Sequence, residues 1–178
     1  LGIELPPDFP FETDHCGTCT RCINACPTQA ILSNRTLDSN LCISYLTIEN
    51  KEEIPNVMRE KLGKWVFGCD ICQAVCPWNR FSIQDIAPDF APRENLAQPE
   101  LANELSLTPQ EFNKKFKNSP VKRAKRRGYL RNIAVALGNS GDTRVTPALE
   151  NALNDIEPLV CEHVAWALGR IKSKGKKC

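Results

Sequence analysis

The plainest pattern along the chain is an apolar segment that occurs twice. Ile133-Ala-Val-Ala-Leu-Gly138 returns as Val164-Ala-Trp-Ala-Leu-Gly169. Each copy reads as a helix whose small residues allow close stacking. Between them, Thr146-Pro147-Ala-Leu149 and Ala152-Leu153 predict a further helix with an apolar face, entered through a Gly-Asn-Ser-Gly-Asp turn. Helix, turn, helix, turn, helix with internal repetition is the pattern of a short α-solenoid, whose units bury their cores against their neighbours. With only about one and a half units present, this piece must rest on the module before it. Upstream, Thr108-Pro109-Gln110-Glu111 reads as a capping box with Pro at the first helical position. Asp38-Ser39-Asn40 reads as an N-cap that opens a helix over 41–48, with Cys42 in its first turn. A second helix is expected over 55–62, stopped by Gly63. No apolar run approaches the roughly 20 residues that a bilayer-spanning helix needs. Residues 1–11 lack the basic start and apolar centre of a secretory signal. Leu1 is not Met, so the chain is expected to be processed or part of something longer.

Charge divides the 178 residues unevenly. Residues 1–113 carry 8 Lys/Arg and 16 Asp/Glu, whereas 114–178 carry 15 and 5. Eight of the 10 cysteines lie between Cys16 and Cys76. Two modules of different chemistry are expected, joined by a Pro-punctuated stretch over 88–109.

The first cysteine run is Cys16-Gly-Thr-Cys19-Thr-Arg-Cys22-Ile-Asn-Ala-Cys26-Pro27. This is the C-x2-C-x2-C-x3-C-P spacing of bacterial iron–sulfur sites. Three thiolates on a tight loop can hold three irons of one cubane, while the fourth points to another, and loop N–H groups offset the charge. The second run, Cys69-Asp-Ile-Cys72-Gln-Ala-Val-Cys76-Pro77, is the same motif with Val66 in place of its first member. Because the last Cys of each run serves the other cluster, one cluster takes Cys16, Cys19, Cys22 and Cys76. The other takes Cys26, Cys69 and Cys72 and lacks a ligand, which Cys42 supplies. Disulfides and zinc are the competing readings; the absent signal sequence disfavours the first, and the Cys-Pro endings and eight thiolates disfavour the second. Trp65, Phe67, Trp78 and Phe81 are expected to wall the clusters from water and so to tune their potentials. Cys161 reads as a buried helical thiol, Cys178 as incidental, His15 as a loop residue and His163 as structural.

Residues 114–131 hold nine Lys/Arg and no acid. So many unopposed cations suit a phosphate backbone, with salt-dependent binding; an acidic protein partner or plain solvation are the alternatives.

Over its whole length the chain resembles the C-terminal half of epoxyqueuosine reductases. The resemblance is carried by Glu4-Leu-Pro-Pro-Asp8, Asp14-His-Cys16-Gly-Thr-Cys19-Thr-Arg-Cys22, Cys42-Ile-Ser-Tyr-Leu-Thr-Ile-Glu49, Gly68-Cys69-Asp-Ile-Cys72-Gln-Ala-Val-Cys76-Pro-Trp-Asn79 and the basic HEAT-like tail. It implies an α+β, mostly α fold: a bacterial dicluster ferredoxin-like module (1–87), a linker with short helices (88–118) and a basic HEAT-like repeat domain (119–178). It also implies a cytoplasmic, monomeric oxidoreductase that reduces epoxyqueuosine at the tRNA wobble position, the last step of queuosine synthesis. The cofactors implied are two [4Fe–4S] clusters, with the ligand split above, and cobalamin, which supplies the difficult chemistry. Electrons would come from a flavodoxin- or ferredoxin-type donor and pass through the clusters to the cobalt. Ser44, Cys69 and Asp70 would lie against cobalamin. The Glu49-Asn50-Lys51 loop would approach the tRNA, and Lys122, Arg123, Lys125, Arg126, Arg127 and Arg131 would hold its anticodon stem. The family's N-terminal domain, source of most of the cobalamin pocket and of the acidic proton donor, has no counterpart here. No catalytic residue is therefore expected in this chain, which alone is expected to be inactive. Two other classes remain open. A free-standing dicluster carrier would have no use for the basic tail, and a reductive-dehalogenase relative would have none for the 114–131 run.

Overall fold

The computed structural model describes residues 2–10, 12–82, 96 and 98–175. Residues 83–87 of the expected cysteine module, 88–95 and 97 of the expected linker, and Cys178 lie outside the described residues. In chain order the helices are α1 Arg21–Ala25, α2 Ile43–Ile48, α3 Asn56–Arg59, α4 Ile71–Ala74, α5 Leu101–Glu104, α6 Pro109–Lys115, α7 Lys125–Ser140, α8 Thr146–Ala152 and α9 Pro158–Gly175. The β contribution among the described residues is one antiparallel bridge, Ile31 to Leu37. The fold is thus mostly helical, with short helices around the cysteine loops and long ones in the repeat.

Local signals explain several boundaries. At α6 the capping box forms as expected: Thr108 Oγ1 accepts the Glu111 N–H at 3.2 Å, and Glu111 Oε2 accepts the Thr108 N–H at 2.8 Å. Asp38 caps a 3-10 turn over Ser39–Leu41 by accepting the Asn40 N–H at 3.0 Å. Cys42 is consequently the N-cap of α2, extended at φ −71°, ψ 124°, and not a first-turn residue. The expected 55–62 helix is regular only over Asn56–Arg59, and the turn after it ends at Gly63 with φ +57°.

Two apolar clusters hold the molecule. One joins α7, α8 and α9 through Leu130, Ile133, Leu149, Val160, Val164 and Ala167. It continues into α5 and α6, so that Leu105, Phe112 and Phe116 of the expected linker are core residues. The rings of Phe112, Phe116 and Tyr129 meet at centroid distances of 4.9, 5.8 and 5.0 Å. The second cluster gathers Ile43, Leu46, Ile54, Met58 and Leu62 from the cysteine module onto Val135 and Trp166 of the repeat.

Helix α7 is buried at every position from Gly128 to Gly138. It is a central helix, so polar residues on it face protein on all sides. Arg131 donates to the carbonyls of Leu46 (2.7 Å), Asn50 (3.0 Å) and Glu52, and to Asn132 Oδ1. Asn132 donates to Thr47 O and Val66 O, both at 2.8 Å, and Asn139 to Arg59 O and Gly63 O at 2.7 and 2.8 Å. From α9, His163 Nε2 accepts the Ile54 N–H at 3.1 Å while Nδ1 bonds Leu159 O at 2.8 Å. Burial is the main cause that lowers the His163 pKa to about 4, so the ring is neutral at pH 7. His163 is therefore structural, as its helical setting suggests. These bonds satisfy backbone groups that the short elements of the cysteine module cannot pair internally. The two modules share one polar and apolar interface.

The two copies of the repeat differ at their glycines. A Cβ on Gly138 would lie 2.8 Å from Ala167 Cα and 2.9 Å from the Trp166 ring, because α7 and α9 approach closely there. At Gly169 a Cβ would meet nothing within 4 Å. Gly138→Ala is expected to cost about 1–3 kcal/mol by overpacking. Gly169→Ala should be neutral or stabilising by up to about 1 kcal/mol. Urea unfolding of both variants checks the contrast.

Candidate metal centre and nucleic-acid surface

The two cysteine runs fold as local copies. Thr20, before α1, has φ −123° and ψ 13°; Asp70, before α4, has φ −124° and ψ 17°. Cys26, after α1, has φ −70° and ψ 114°; Cys76 has φ −69° and ψ 123°. Helices α1 and α4 lie against each other. Val66, in the place of the missing Cys, packs against the repeat core.

Cys16, Cys19, Cys22 and Cys76 line one cavity of about 210 Å³, together with Trp78 and Phe81 at its rim. Among the described residues no three His, Cys, Asp or Glu side chains converge as around a single ion. Four thiols around one space are donors of the type that thiolate-bound clusters use. The Cys16 loop is pinned by a pair that sequence reasoning missed. Asp14 accepts the Cys16 N–H at 2.9 Å and pairs with Arg35 at 2.5 Å, and Arg35 also reaches the Gly17 carbonyl. The hydrogen bond from Arg35 holds the Asp14 carboxyl below its usual range. The partners are 21 residues apart, and no local pattern announces them. His15 stacks edge-on to Trp78 at 5.5 Å, and its carbonyl accepts the Trp78 indole N–H at 3.1 Å. Trp78 and Phe81 remain 52% and 61% exposed, so they do not make the dry wall expected of them, whereas Trp65 and Phe67 are half-buried.

Cys42 and Cys72 lie close enough to Cys69 to act on it electrostatically. Burial, chiefly, and these neighbours raise the Cys69 thiol pKa. The link is Thr47, on the helix that Cys42 opens. Its Oγ1 bonds Ile43 O at 2.8 Å and accepts the Gly68 N–H at 3.0 Å, holding the Cys69 loop to α2. Gly68 has φ +77°, which favours glycine. Cys26 closes α1. Burial opposes its ionisation, but bonds from Thr28 (3.5 Å) and the Ala30 N–H (3.3 Å) outweigh this and lower its pKa. Ser44 is half-buried, and its carbonyl lies 3.3 Å from the same Thr47 hydroxyl. Thr47 thus ties the backbone at Ser44 to the loop that carries Cys69. Cys161 is half-buried and donates to Asp155 O at 3.2 Å.

The basic run divides. Lys122, Arg123 and Lys125 are exposed and Arg127 is half-buried. Lys122, Lys125 and Arg127 line an open cleft of about 530 Å³ between α6 and α7. Lys125, where the Pro120–Ala124 segment meets the start of α7, holds φ +59°, a region unfavourable for any side chain. Three expected contacts need correction. Arg131 is fully buried and spends its guanidinium on backbone carbonyls. Arg126 forms a two-pronged pair with Asp155 and donates to Leu107 O. Lys51 Nζ caps α2 by donating to Ile48 O at 2.7 Å and also bonds Arg123 O. Glu49 pairs with Arg123. For Arg126 and Arg131 the reason is that α7 emerges from the core, so cations on its inward side find carbonyls and a carboxylate before solvent; Lys51, after α2, turns back onto the end of that helix.

Residues 15–79 match the family model of the 4Fe-4S double cluster binding domain, and residues 130–155 match that of the PBS lyase HEAT-like repeat. Among curated relatives, the epoxyqueuosine reductase of Xanthomonas campestris is 47% identical over 96% of this chain and 48% of its own length. That of Escherichia coli is 42% identical over 100% of this chain and 47% of its own. Among solved structures, Bacillus subtilis epoxyqueuosine reductase superposes with a TM-score of 0.85 at 35% identity, covering 94% of this chain and 45% of that one. An epoxyqueuosine reductase in complex with an epoxyqueuosine-modified tRNA-Tyr stem loop gives a TM-score of 0.84 at 35% identity, with 93% and 44% covered. The chain is thus similar to epoxyqueuosine reductases along nearly its whole length, and it spans about half the length of the curated relatives it matches.

Proposed function

We propose that this chain is the electron-transfer and tRNA-docking portion of an epoxyqueuosine reductase, the cytoplasmic, monomeric oxidoreductase that reduces epoxyqueuosine in tRNA. The observation that carries the reading is the pair of cysteine runs with one local backbone, the first of which contributes three thiols to a cavity that a thiol of the second completes. One [4Fe–4S] cluster is held by Cys16, Cys19, Cys22 and Cys76, and the other by Cys26, Cys42, Cys69 and Cys72. A flavodoxin- or ferredoxin-type protein is the electron donor. Ser44, Cys69 and Asp70 form the part of a cobalamin site that this chain supplies, with Thr47 joining the Ser44 carbonyl to the Gly68-Cys69 loop. Cobalamin, when bound, supplies the reducing chemistry at the epoxide. The modules divide as 1–87, 88–118 and 119–178, with α5 and α6 of the middle piece laid on the repeat.

The tRNA surface is formed by the exposed Lys122, Arg123 and Lys125 and the half-buried Arg127. A carrier with no nucleic-acid partner gains nothing from such a surface, which favours this reading over a free-standing ferredoxin-like protein. Binding of a tRNA anticodon stem-loop is expected to weaken linearly in log–log coordinates as salt rises. Changing these four residues to Gln should lower the slope by about one for each phosphate no longer neutralised and weaken binding about equally for different stem-loop sequences. Fluorescence anisotropy across a salt series measures both. Salt-independent binding, or four substitutions without effect, contradicts the docking role.

A further inference from the structure

Beside the cavity of Cys16, Cys19, Cys22 and Cys76 lies a second, open groove of about 870 Å³ between α1 and α4. Cys76, Pro77, Arg21 and Arg80 line both. Arg35 lines the first, where its carboxylate partner Asp14 is already engaged. No carboxylate lines either space among the described residues. This is unusual for its setting, because residues 1–113 hold twice as many acids as bases, 16 against 8. Between the arginines stand the exposed rings of Trp78 and Phe81, with the Arg80 guanidinium over the Phe81 ring at 4.5 Å. A cationic rim around a small aromatic centre is the anatomy of a transient protein interface, and redox encounters occupy the small end of the interface range.

We propose that the face formed by Arg21, Arg80, Trp78 and Phe81 is the docking surface for a small acidic one-electron carrier protein. The inference rests on the cluster reading above and adds where electrons enter. The arginines steer an acidic partner toward the face. Trp78 and Phe81 provide the apolar contact, and the Cys76 loop lies directly beneath them. In the step itself the carrier is oxidised by one electron and the chain's cluster is reduced by one; no bond forms or breaks. This face shares no lining residue with the cleft of Lys122, Lys125 and Arg127.

The test is stopped-flow mixing of the anaerobically reconstituted chain with photoreduced flavodoxin as the acidic probe, followed by loss of visible cluster absorbance. The second-order rate is expected to fall steeply with ionic strength. Arg21→Glu with Arg80→Glu should slow it about tenfold or more at low salt, with iron content unchanged and reduction by methyl viologen as fast as in the parent. Arg80→Glu alone, which leaves the Cys16–Cys26 run untouched, should shift the rate in the same direction by less. Trp78→Ala should slow transfer at high salt as well. A double variant that keeps its iron and accepts electrons from flavodoxin at the parent rate at low salt overturns the proposal. A parent chain that takes up no iron overturns the underlying cluster reading instead.

Discussion

Arg131→Met is expected to be the most destabilising single substitution in the basic run, at about 3–5 kcal/mol. The side chain is fully buried. Burial first, and then the Arg127 and Arg59 cations, pull its guanidinium pKa down to about 10, so it remains charged at pH 7. That charge is compensated by the carbonyls of Leu46, Asn50 and Glu52 and by Asn132 Oδ1. Met fills the volume but leaves these acceptors unpaired, each at a cost of about 1–3 kcal/mol, offset in part by removing a buried charge. Lys should not rescue the loss, because one ammonium cannot reach acceptors that the planar fork spans. Arg127→Met, one helical turn away and half-buried, should stay within about 0.5 kcal/mol. Thermal melts of the reconstituted variants separate the two, by roughly 10 °C for a chain of this size. Because the affected bonds hold the end of α2, the Arg131 variant should also retain its second cluster poorly.

Cys42→Ala is expected to lower the iron content from about eight to about four per chain and to abolish one of two coupled signals. Cys42 stands alone in sequence, outside both runs, yet α2 is fastened to the Cys69 loop through Thr47 and Gly68. On the proposed ligand split it is the thiol that completes the second run. Cys161→Ala, which removes a thiol bonded to Asp155 O within the repeat, should leave the iron count unchanged. Iron and sulfide analysis with low-temperature EPR reads both variants. Retention of both clusters by the Cys42 variant would remove Cys42 from the ligand set.

These two substitutions mark what could be read from the chain and what could not. Cys42 is singled out because thiolate spacing is a local rule: the first run is complete and the second is one residue short, a deficit that arithmetic exposes. The Thr108 capping box and the doubled apolar segment were legible for the same reason, since their partners lie within a turn or repeat. Arg131 was not, because charge along a sequence does not tell which side of a helix meets solvent. A signal was present: Arg131-Asn132 runs directly into the apolar segment that begins at Ile133, within a helix too apolar to have a free face. The Asp14–Arg35 clamp and the His163–Ile54 bond join positions distant in sequence, and only the fold brings them together. Trp78 and Phe81 were read as shielding because aromatics near a cluster usually are; their exposure follows from the 3-10 turn over Pro77–Phe81, which carries them along the rim of the cavity.

The central claim is that these thiols hold two clusters. Its most direct test is anaerobic reconstitution of the chain, with iron and sulfide counted per chain and the reduced state examined by EPR. The account predicts about eight irons and two magnetically coupled [4Fe–4S] signals. Four irons, or zinc retained in place of iron, would contradict it.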